Sequence, residues 1–266
     1  MDSFFYLVMF AGAVAGGSCG LLGVYIVGLR MPFIGTCISH AAMAGMIFGA
    51  VIGINGNIAA VTAAVVTAML LAGIRGERVR LDNNVALAIL FSLMLGLTFL
   101  GMGLVESSRG EVLSLLWGSI LFVKRDTAVM ISVMAVVLGV FCATFNKELK
   151  VILFSRSIAS VTGVHEGLVY GLFLGLCGAI LTVNLKLIGG LMIFSLITAP
   201  AAAAYQVCRG HRSVVMCSIL FGMASTLIGF LCSYWWDLPT GACIVVTSTM
   251  IFAAAAGYKF FAGISE

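Results

Sequence analysis

Residues 31–54 read MPFIGTCISHAAMAGMIFGAVIGI, a stretch that is long and apolar enough to cross a lipid bilayer, which takes about 20 such residues. His40 lies inside it, with Thr36 four residues and Cys37 three residues before it. On an α-helix these three side chains share one face. Because a polar side chain is unfavourable in lipid, it usually faces a protein interior or a hydrated path. The stretch therefore predicts a membrane-spanning helix with a functional His40, and the alternative is that His40 only hydrogen-bonds to a neighbouring helix.

The composition extends this prediction to the whole chain. Of its 266 residues, 62% are hydrophobic and 9% are charged, whereas a soluble domain has about 25% charged residues. We therefore predict an all-α polytopic membrane protein that forms a single domain over residues 1–266. No basic cluster is interleaved with aromatic residues, which argues against nucleic acid as a partner. None of the eight cysteines forms a C-x-x-C pair, so neither a zinc ribbon nor a disulfide framework is predicted.

Eight or nine apolar segments are predicted to span the membrane. They cover approximately residues 4–28, 31–54, 58–74, 85–105, 127–145, 168–185, 191–207, 213–234 and 242–260. In the first segment, Gly16 and Gly20 form part of a small-residue ridge that favours close helix packing. Gly189 and Gly190 interrupt the pattern before the seventh segment, and Pro200 lies inside it, where we expect a hinge or a kink. The alternative for this stretch is ordinary close packing of helices.

Two further segments differ from these spans. Residues 106–126 contain only about a dozen consecutive apolar residues, too few to span, which predicts a short re-entrant or interfacial helix. Residues 146–167 intersperse Lys147, Lys150 and Arg156 among apolar residues. They predict one or two short amphipathic helices at the membrane surface, with Asn146 as the N-cap.

The basic residues indicate the orientation of the chain. With nine spans, ten of the 14 Lys and Arg residues fall on one side of the membrane and four on the other. The side richer in basic residues is predicted to be the cytoplasm. This places residues 146–167 and the C-terminus in the cytoplasm and the N-terminus outside, while an eight-span arrangement leaves the side of the N-terminus open.

Several stretches resemble one family, the membrane subunits of bacterial ABC importers for zinc, manganese and iron. That family opens its second span with Gly-Asp-Ala-Leu-Ser-His, and here residues 35–40 read GTCISH. Its Pro-Ala-Ala-Thr-Ala run is similar to PAAAA at 200–204, its Asp-x-Pro-x-Gly loop to DLPTG at 237–241, and its Phe-Gly-Asp to WGS at 117–119. The resemblance covers nearly the whole chain, and the order and spacing of the motifs are more specific than any one of them.

The resemblance implies a type II ABC importer permease in the bacterial inner membrane. A second permease subunit, expected as a homodimer, would complete the path, cytoplasmic ATPase subunits would supply energy, and an extracytoplasmic metal-binding protein would deliver the ion. The chain has no Gly-x-x-x-x-Gly-Lys-Ser/Thr motif and is not expected to be an enzyme. No resident cofactor is expected, only the transported divalent ion. The family's coupling helices correspond to residues 146–167, where the ATPase contacts would be Leu153, Phe154, Arg156, Ile158, Val161 and Gly163.

Two positions depart from the family pattern. Thr36 stands where the family has Asp in its second span, and Ser119 stands where it has Asp in Phe-Gly-Asp. Imidazole with a nearby thiol favours softer ions such as zinc or iron. We expect His40 of both subunits, with Cys37 or Thr36, to line the path and to contact the ion weakly enough for release. For Cys37 the alternative is packing in the core, where free cysteines are common.

Two other transport functions remain open from the sequence. The loss of both acidic positions is compatible with an importer for a metal chelate such as haem, a siderophore or cobalamin. A secondary transporter driven by ion gradients is the less favoured alternative, because it normally requires buried carboxylates and every Asp and Glu here lies in a loop or at a span end.

Overall fold

The fold is a bundle of helices, seen in a computed structural model that describes residues 2–73, 83–104, 118, 123–155, 159 and 166–261. Ten helices and no strand have bounds within these ranges. In chain order they are α1 Asp2–Gly28, α2 Ile34–Ile52, α3 Gly56–Gly73, α4 Asn83–Leu104, α5 Arg125–Thr144, α6 Asn146–Phe154, α7 Glu166–Ile188, α8 Gly190–Val207, α9 His211–Trp236 and α10 Thr240–Phe261.

The spanning segments predicted from hydropathy are confirmed as helices. Among the described helices, eight are long and apolar enough to cross a membrane, all except α6 and α8. The apolar part of α8 is the shorter Met192–Val207. The re-entrant helix predicted in 106–126 lies almost wholly outside the described residues. The N-cap prediction at residue 146 was wrong, because α6 begins at Asn146 itself, after Phe145, and no side chain caps it.

The core lies between α1, α2 and α7, which are the most deeply buried of the spanning helices. Tyr25, Ile38 and Phe173 are among its largest fully buried side chains. The helices α4, α5 and α10 lie at the periphery and expose large apolar side chains, as lipid-facing helices do. The exposed large residues on them include Ile89, Leu93, Phe99, Leu100, Val129, Val133, Val136, Val140, Val246 and Met250.

The glycine ridge on α1 makes the close contact that the sequence predicts. Gly16 lies directly against the backbone of Gly222, and Gly20 against the backbone of Ser218, both on α9. The Ser218 hydroxyl donates a hydrogen bond of 2.7 Å to the carbonyl oxygen of Gly20. A side chain at either α1 glycine would occupy the space of the α9 backbone, so the two helices can approach this closely only because these residues are small.

Contacts of this kind show that α1 and α9 are antiparallel, because residue numbers fall along α9 as they rise along α1. The same holds for α3 and α7, where Ala64 lies against Gly178 and Ala72 near Gly171. Both pairs fit a chain in which all helices except α6, with α8 included, alternate in direction. One end of the bundle carries the α1–α2 turn, α6, the α8–α9 turn and the last turn of α10, and we call it the Arg30 end. The opposite end, the Trp235 end, carries the α2–α3, α7–α8 and α9–α10 connections.

The two ends differ in charge. Among the described basic residues, six lie at the Arg30 end and three at the Trp235 end. The six are Arg30, Lys147, Lys150, Arg209, Arg212 and Lys259, and the three are Lys124, Arg125 and Lys186.

Candidate functional site

The helix that carries the candidate site, α2, is fixed at both ends by backbone hydrogen bonds. It follows a tight turn in which the Arg30 backbone is left-handed, with φ +57°, and the Met31 N–H donates to the Ile26 carbonyl at 3.2 Å. It ends at Gly53, which has φ +78° and closes the last turn, a common use of glycine at a helix C-terminus. Most of the helix between these ends is buried.

His40 is enclosed by α4 within a single copy of the chain. Its side chain is 1% exposed, and its ring meets the ring of Phe91 edge-on, with centroids 5.0 Å apart. The Thr98 hydroxyl lies 3.4 Å from the His40 carbonyl oxygen. The ring atom Nδ1 is buried and has no hydrogen-bond partner in the described part of the structure. The imidazole therefore retains one donor or acceptor position that the folded single chain does not use.

Thr36 presents a second unused polar atom on the same helix. Its Oγ1 is buried and unpartnered within the described ranges, although the residue as a whole is only half-buried. On α2, Met43 contacts α8 at Gly190, whereas Ile47 contacts α4 at Gly101. Successive residues of an α-helix are rotated by about 100° around its axis, so in projection Thr36 lies between Met43 and Ile47. Thr36 therefore projects between the direction of the α8 contact and that of the α4 contact, on the same side of α2 as His40.

Cys37 has a different environment from its two neighbours. Its side chain is fully buried and belongs to the main hydrophobic core. This position favours the packing alternative for Cys37, since free cysteine behaves as a small apolar residue in a core.

The described residues of one copy of the chain contain no cluster of metal-ligating side chains. Among the described residues, no group of three or more His, Cys, Asp or Glu side chains could hold one. A structural zinc site, by comparison, has four protein ligands. The site on α2 therefore offers two isolated donors, which suits either brief contact or completion by a second copy.

The face of α8 beside this site differs from the lipid-facing helices. Its half-buried residues include Phe194, Ser195, Thr198, Ala199 and Ala202, while the residues on its other side are fully buried. Phe194 stacks on Phe33, the residue before α2, with centroids 5.6 Å apart, and the Ser195 hydroxyl lies 2.9 Å from the Ser248 hydroxyl of α10. Small and hydroxyl side chains are typical of helix–helix contacts rather than of a lipid surface. The α8 face, together with Thr36, therefore borders a part of the bundle that is polar for a membrane protein.

The predicted hinge residues lie at and after the junction of α7 and α8. Gly189 has φ +93°, a conformation that favours glycine, and Gly118 packs directly against the Ile188–Gly189 peptide. Pro200 is buried inside α8, which remains helical through it. Because proline has no N–H, the Leu196 carbonyl receives no helical bond from residue 200.

The predicted coupling segment is described only in its first half. In α6, Leu149 and Ile152 are buried, Leu153 packs against Gly28 of α1, and Phe154 is 82% exposed. The remaining predicted ATPase contacts, Arg156, Ile158, Val161 and Gly163, lie outside the described residues. The two described members of the set thus point in different directions, one into the bundle and one away from it.

A buried polar contact between α7 and α1 was missed in the sequence. Asn184 is 1% exposed, and its Nδ2 donates to the Ser18 hydroxyl at 3.1 Å and lies 3.5 Å from the Cys19 sulfur. The available signal was an amide side chain near the end of an otherwise apolar segment. Interhelical contacts of this kind are worth about 0.6 kcal/mol in membranes, so Asn184 helps to fix α7 against α1.

Comparison with known proteins gives matches along nearly the full chain. A family model described as the ABC 3 transport family matches residues 1–259. The manganese transport system membrane protein MntC of Listeria monocytogenes is 28% identical over 254 residues, covering 95% of this chain and 90% of that protein. The high-affinity zinc uptake system membrane protein ZnuB of Haemophilus influenzae is 25% identical over 231 residues, covering 87% and 88%.

A solved structure supports the fold independently. PsaBC from Streptococcus pneumoniae in complex with Fab superposes with a TM-score of 0.83 at 23% sequence identity. The match covers 95% of this chain and 90% of that chain. The arrangement of helices described above is therefore shared with that protein over almost its whole length.

Proposed function

The chain belongs to the ABC 3 transport family, and we propose that it is the permease subunit of an ATP-driven importer for zinc, manganese or iron ions. The family match along residues 1–259 carries this proposal. The manganese and zinc transport proteins to which the chain is similar support a metal ion as the substrate. Residues 1–266 would act as a single permease domain.

We place the ion path beside α2 and α8. Two copies of the chain, side by side, would bring their Thr36 residues to a shared path, and His40, which α4 encloses within one copy, would reach the ion when α2 moves relative to α4. The unused Nδ1 and Oγ1 atoms support this assignment, because a buried polar atom without a partner costs about 1–3 kcal/mol and an ion would supply the missing contact. Contact through one or two such atoms at a time is weak, which allows the ion to leave again.

The Arg30 end is proposed to face the cytoplasm. The excess of basic residues at this end supports that orientation, which places α6 and the C-terminus inside the cell. ATPase subunits on a separate chain would dock on α6 and the residues after it, and Phe154 provides an exposed aromatic side chain for that contact. A metal-binding protein would deliver the ion at the Trp235 end of the complex in the bacterial inner membrane.

Conformational change would occur by alternating access. Two positions would let α8 move at a low cost in backbone hydrogen bonds. One is Gly189, where α7 ends and α8 begins, and the other is Pro200, which donates no hydrogen bond to the Leu196 carbonyl. Movement of α8 relative to α2 would open the path to one side at a time.

The two alternative functions have less support. An importer for a metal chelate would share the fold, but the two relatives described above are named for manganese and zinc. A secondary transporter would not share the ABC 3 family match.

The proposal can be tested in cells. A strain that lacks the gene, grown in medium depleted of metal ions, should accumulate less zinc, manganese or iron, as measured by elemental analysis. Restoring the unmodified gene should restore the content of one of these metals. Equal metal content with and without the gene, in all three cases, would contradict the proposal.

A further inference from the structure

The last turn of α1 is a junction at which α6 and α8 meet α1. The Cβ of an alanine at Gly28 would lie 2.6 Å from Leu153 Cδ2 of α6 and 2.9 Å from the Tyr205 hydroxyl of α8. The Tyr205 hydroxyl donates a 2.9 Å hydrogen bond to the Val24 carbonyl one turn earlier. The absence of a side chain at Gly28 is what allows α6 and α8 to reach α1 at the same point.

The chain from this junction to α2 is short and is held by four backbone hydrogen bonds. The Leu29 N–H donates to Tyr25 at 2.8 Å, Arg30 to Val27 at 3.0 Å, and Met31 to Ile26 at 3.2 Å. The Ile34 N–H then donates to the Met31 carbonyl at 3.1 Å, which starts α2. Thr36 and His40 follow within two turns. No flexible linker therefore separates the Leu153 contact from the site on α2.

The junction also reaches the other side of the candidate path. Tyr205 belongs to α8, the helix that carries the half-buried Ser195 and Thr198. A displacement of the α1 end would act on α2 through the turn and on α8 through the Tyr205 hydrogen bond. The first of these helices carries Thr36, and the second lies beside it.

We propose that Leu153 and Gly28 are positioning residues for transport, through which α6 moves the last turn of α1 and with it α2 and its Thr36–His40 site. This inference rests on the proposed function, since it assumes that the ATPase acts on α6. The inference gives the adjacent residues Leu153 and Phe154 different roles. Phe154 contacts the ATPase on the exposed side, and Leu153 passes the movement inward.

Substitutions separate these two roles. In the reconstituted complex with its ATPase, Leu153→Ala should leave assembly intact but reduce the metal ions imported per ATP by about fivefold, within the range by which residues along such a route change coupling. Gly28→Ala should act in the same direction, because its methyl group displaces Leu153. Gly139→Ala on α5 is the matched control, since an added Cβ there meets no atom within 4 Å. Phe154→Ala should instead weaken assembly with the ATPase.

A cross-link tests whether α6 and α1 move together. The close approach of Leu153 to the Gly28 backbone should let a Gly28→Cys, Leu153→Cys pair oxidise to a disulfide. If α6 and α1 move as one unit, the oxidised pair should import as many metal ions per ATP as the same pair in its reduced form, and oxidation should not change the import per ATP of either single cysteine variant. Loss of import in the oxidised pair, or failure of the pair to cross-link, would overturn the inference.

The outcomes also distinguish this inference from the proposed function. If the unmodified complex imports metal with ATP and the Leu153→Ala variant imports as many metal ions per ATP, only the route through Gly28 is wrong. If the unmodified complex hydrolyses ATP without importing any of the three metals, the proposed function fails, and the route through Gly28 fails with it.

Discussion

At the scale of single residues, the feature that most needs an explanation is the pair of unused polar atoms on α2. His40 Nδ1 and Thr36 Oγ1 are both buried, and neither has a hydrogen-bond partner in the described ranges. Interior polar groups are nearly always paired, because leaving one unpaired costs about 1–3 kcal/mol. Because the two atoms lie on neighbouring sectors of one helix, we propose that a transient ligand completes their bonding.

Replacement of His40 tests the role of the imidazole. His40→Ala should lower the rate of metal uptake about tenfold, the factor that corresponds to about 1.4 kcal/mol of lost contact with the ion. Cys177→Ala is a suitable control, because Cys177 is equally buried but lies on α7 away from the site. Uptake at the unmodified rate in His40→Ala would show that the ring serves packing alone.

Restoration of the family's carboxylate tests the role of Thr36. Thr36→Asp places an acidic group four residues before His40, so both can contact one ion. The variant should bind a divalent ion about tenfold more tightly, measured by calorimetry on the purified protein, because carboxylate oxygen is a stronger ligand than a hydroxyl. Thr36→Asn has nearly the same shape without the charge and should not gain affinity. Equal affinity in the Asp and Asn variants would place the residue away from the path.

At the scale of helices, α1 is held by contacts that only small residues permit. The α1–α9 contact was predictable, because the spacing of Gly16 and Gly20 is visible in the sequence. Its partner was not, because α9 lies about 200 residues further along the chain and nothing local identifies Gly222 and Ser218. The same limit applies to α6, whose amphipathic pattern indicates a surface helix but not that Leu153 would pack against Gly28.

The glycine contact gives a prediction for stability. Gly20→Ala forces a methyl group into the backbone of α9 and should lower the free energy of unfolding by about 1–3 kcal/mol, the usual cost of overpacking. Gly139→Ala, in an open position on α5, should be neutral or slightly stabilising. Thermal unfolding of the two variants in the same detergent measures the difference. Equal midpoints would mean that α1 and α9 are less closely packed than the structure shows.

At the scale of the whole molecule, the positions and order of the spanning helices follow from the sequence, because each span needs only a sufficient run of apolar residues, while the choice between eight and nine spans stayed open. What composition does not provide is the function of each face. Lipid and protein interior both favour apolar side chains, so the polar face of α8 could not be distinguished from a lipid-facing one before its neighbours were known. The enclosure of His40 by Phe91 is a contact of the same kind, since nothing in residues 31–54 identifies α4 as the partner.

The central claim is that this chain forms the path for a metal ion driven by ATP hydrolysis elsewhere. The most direct measurement is uptake of radioactive zinc, manganese or iron into sealed vesicles that contain the purified chain, its ATPase and its binding protein. We predict accumulation of at least one of these ions with ATP and none with a non-hydrolysable analogue. Accumulation that proceeds without ATP on an ion gradient, or uptake of an intact chelate but of no free ion, would contradict the account.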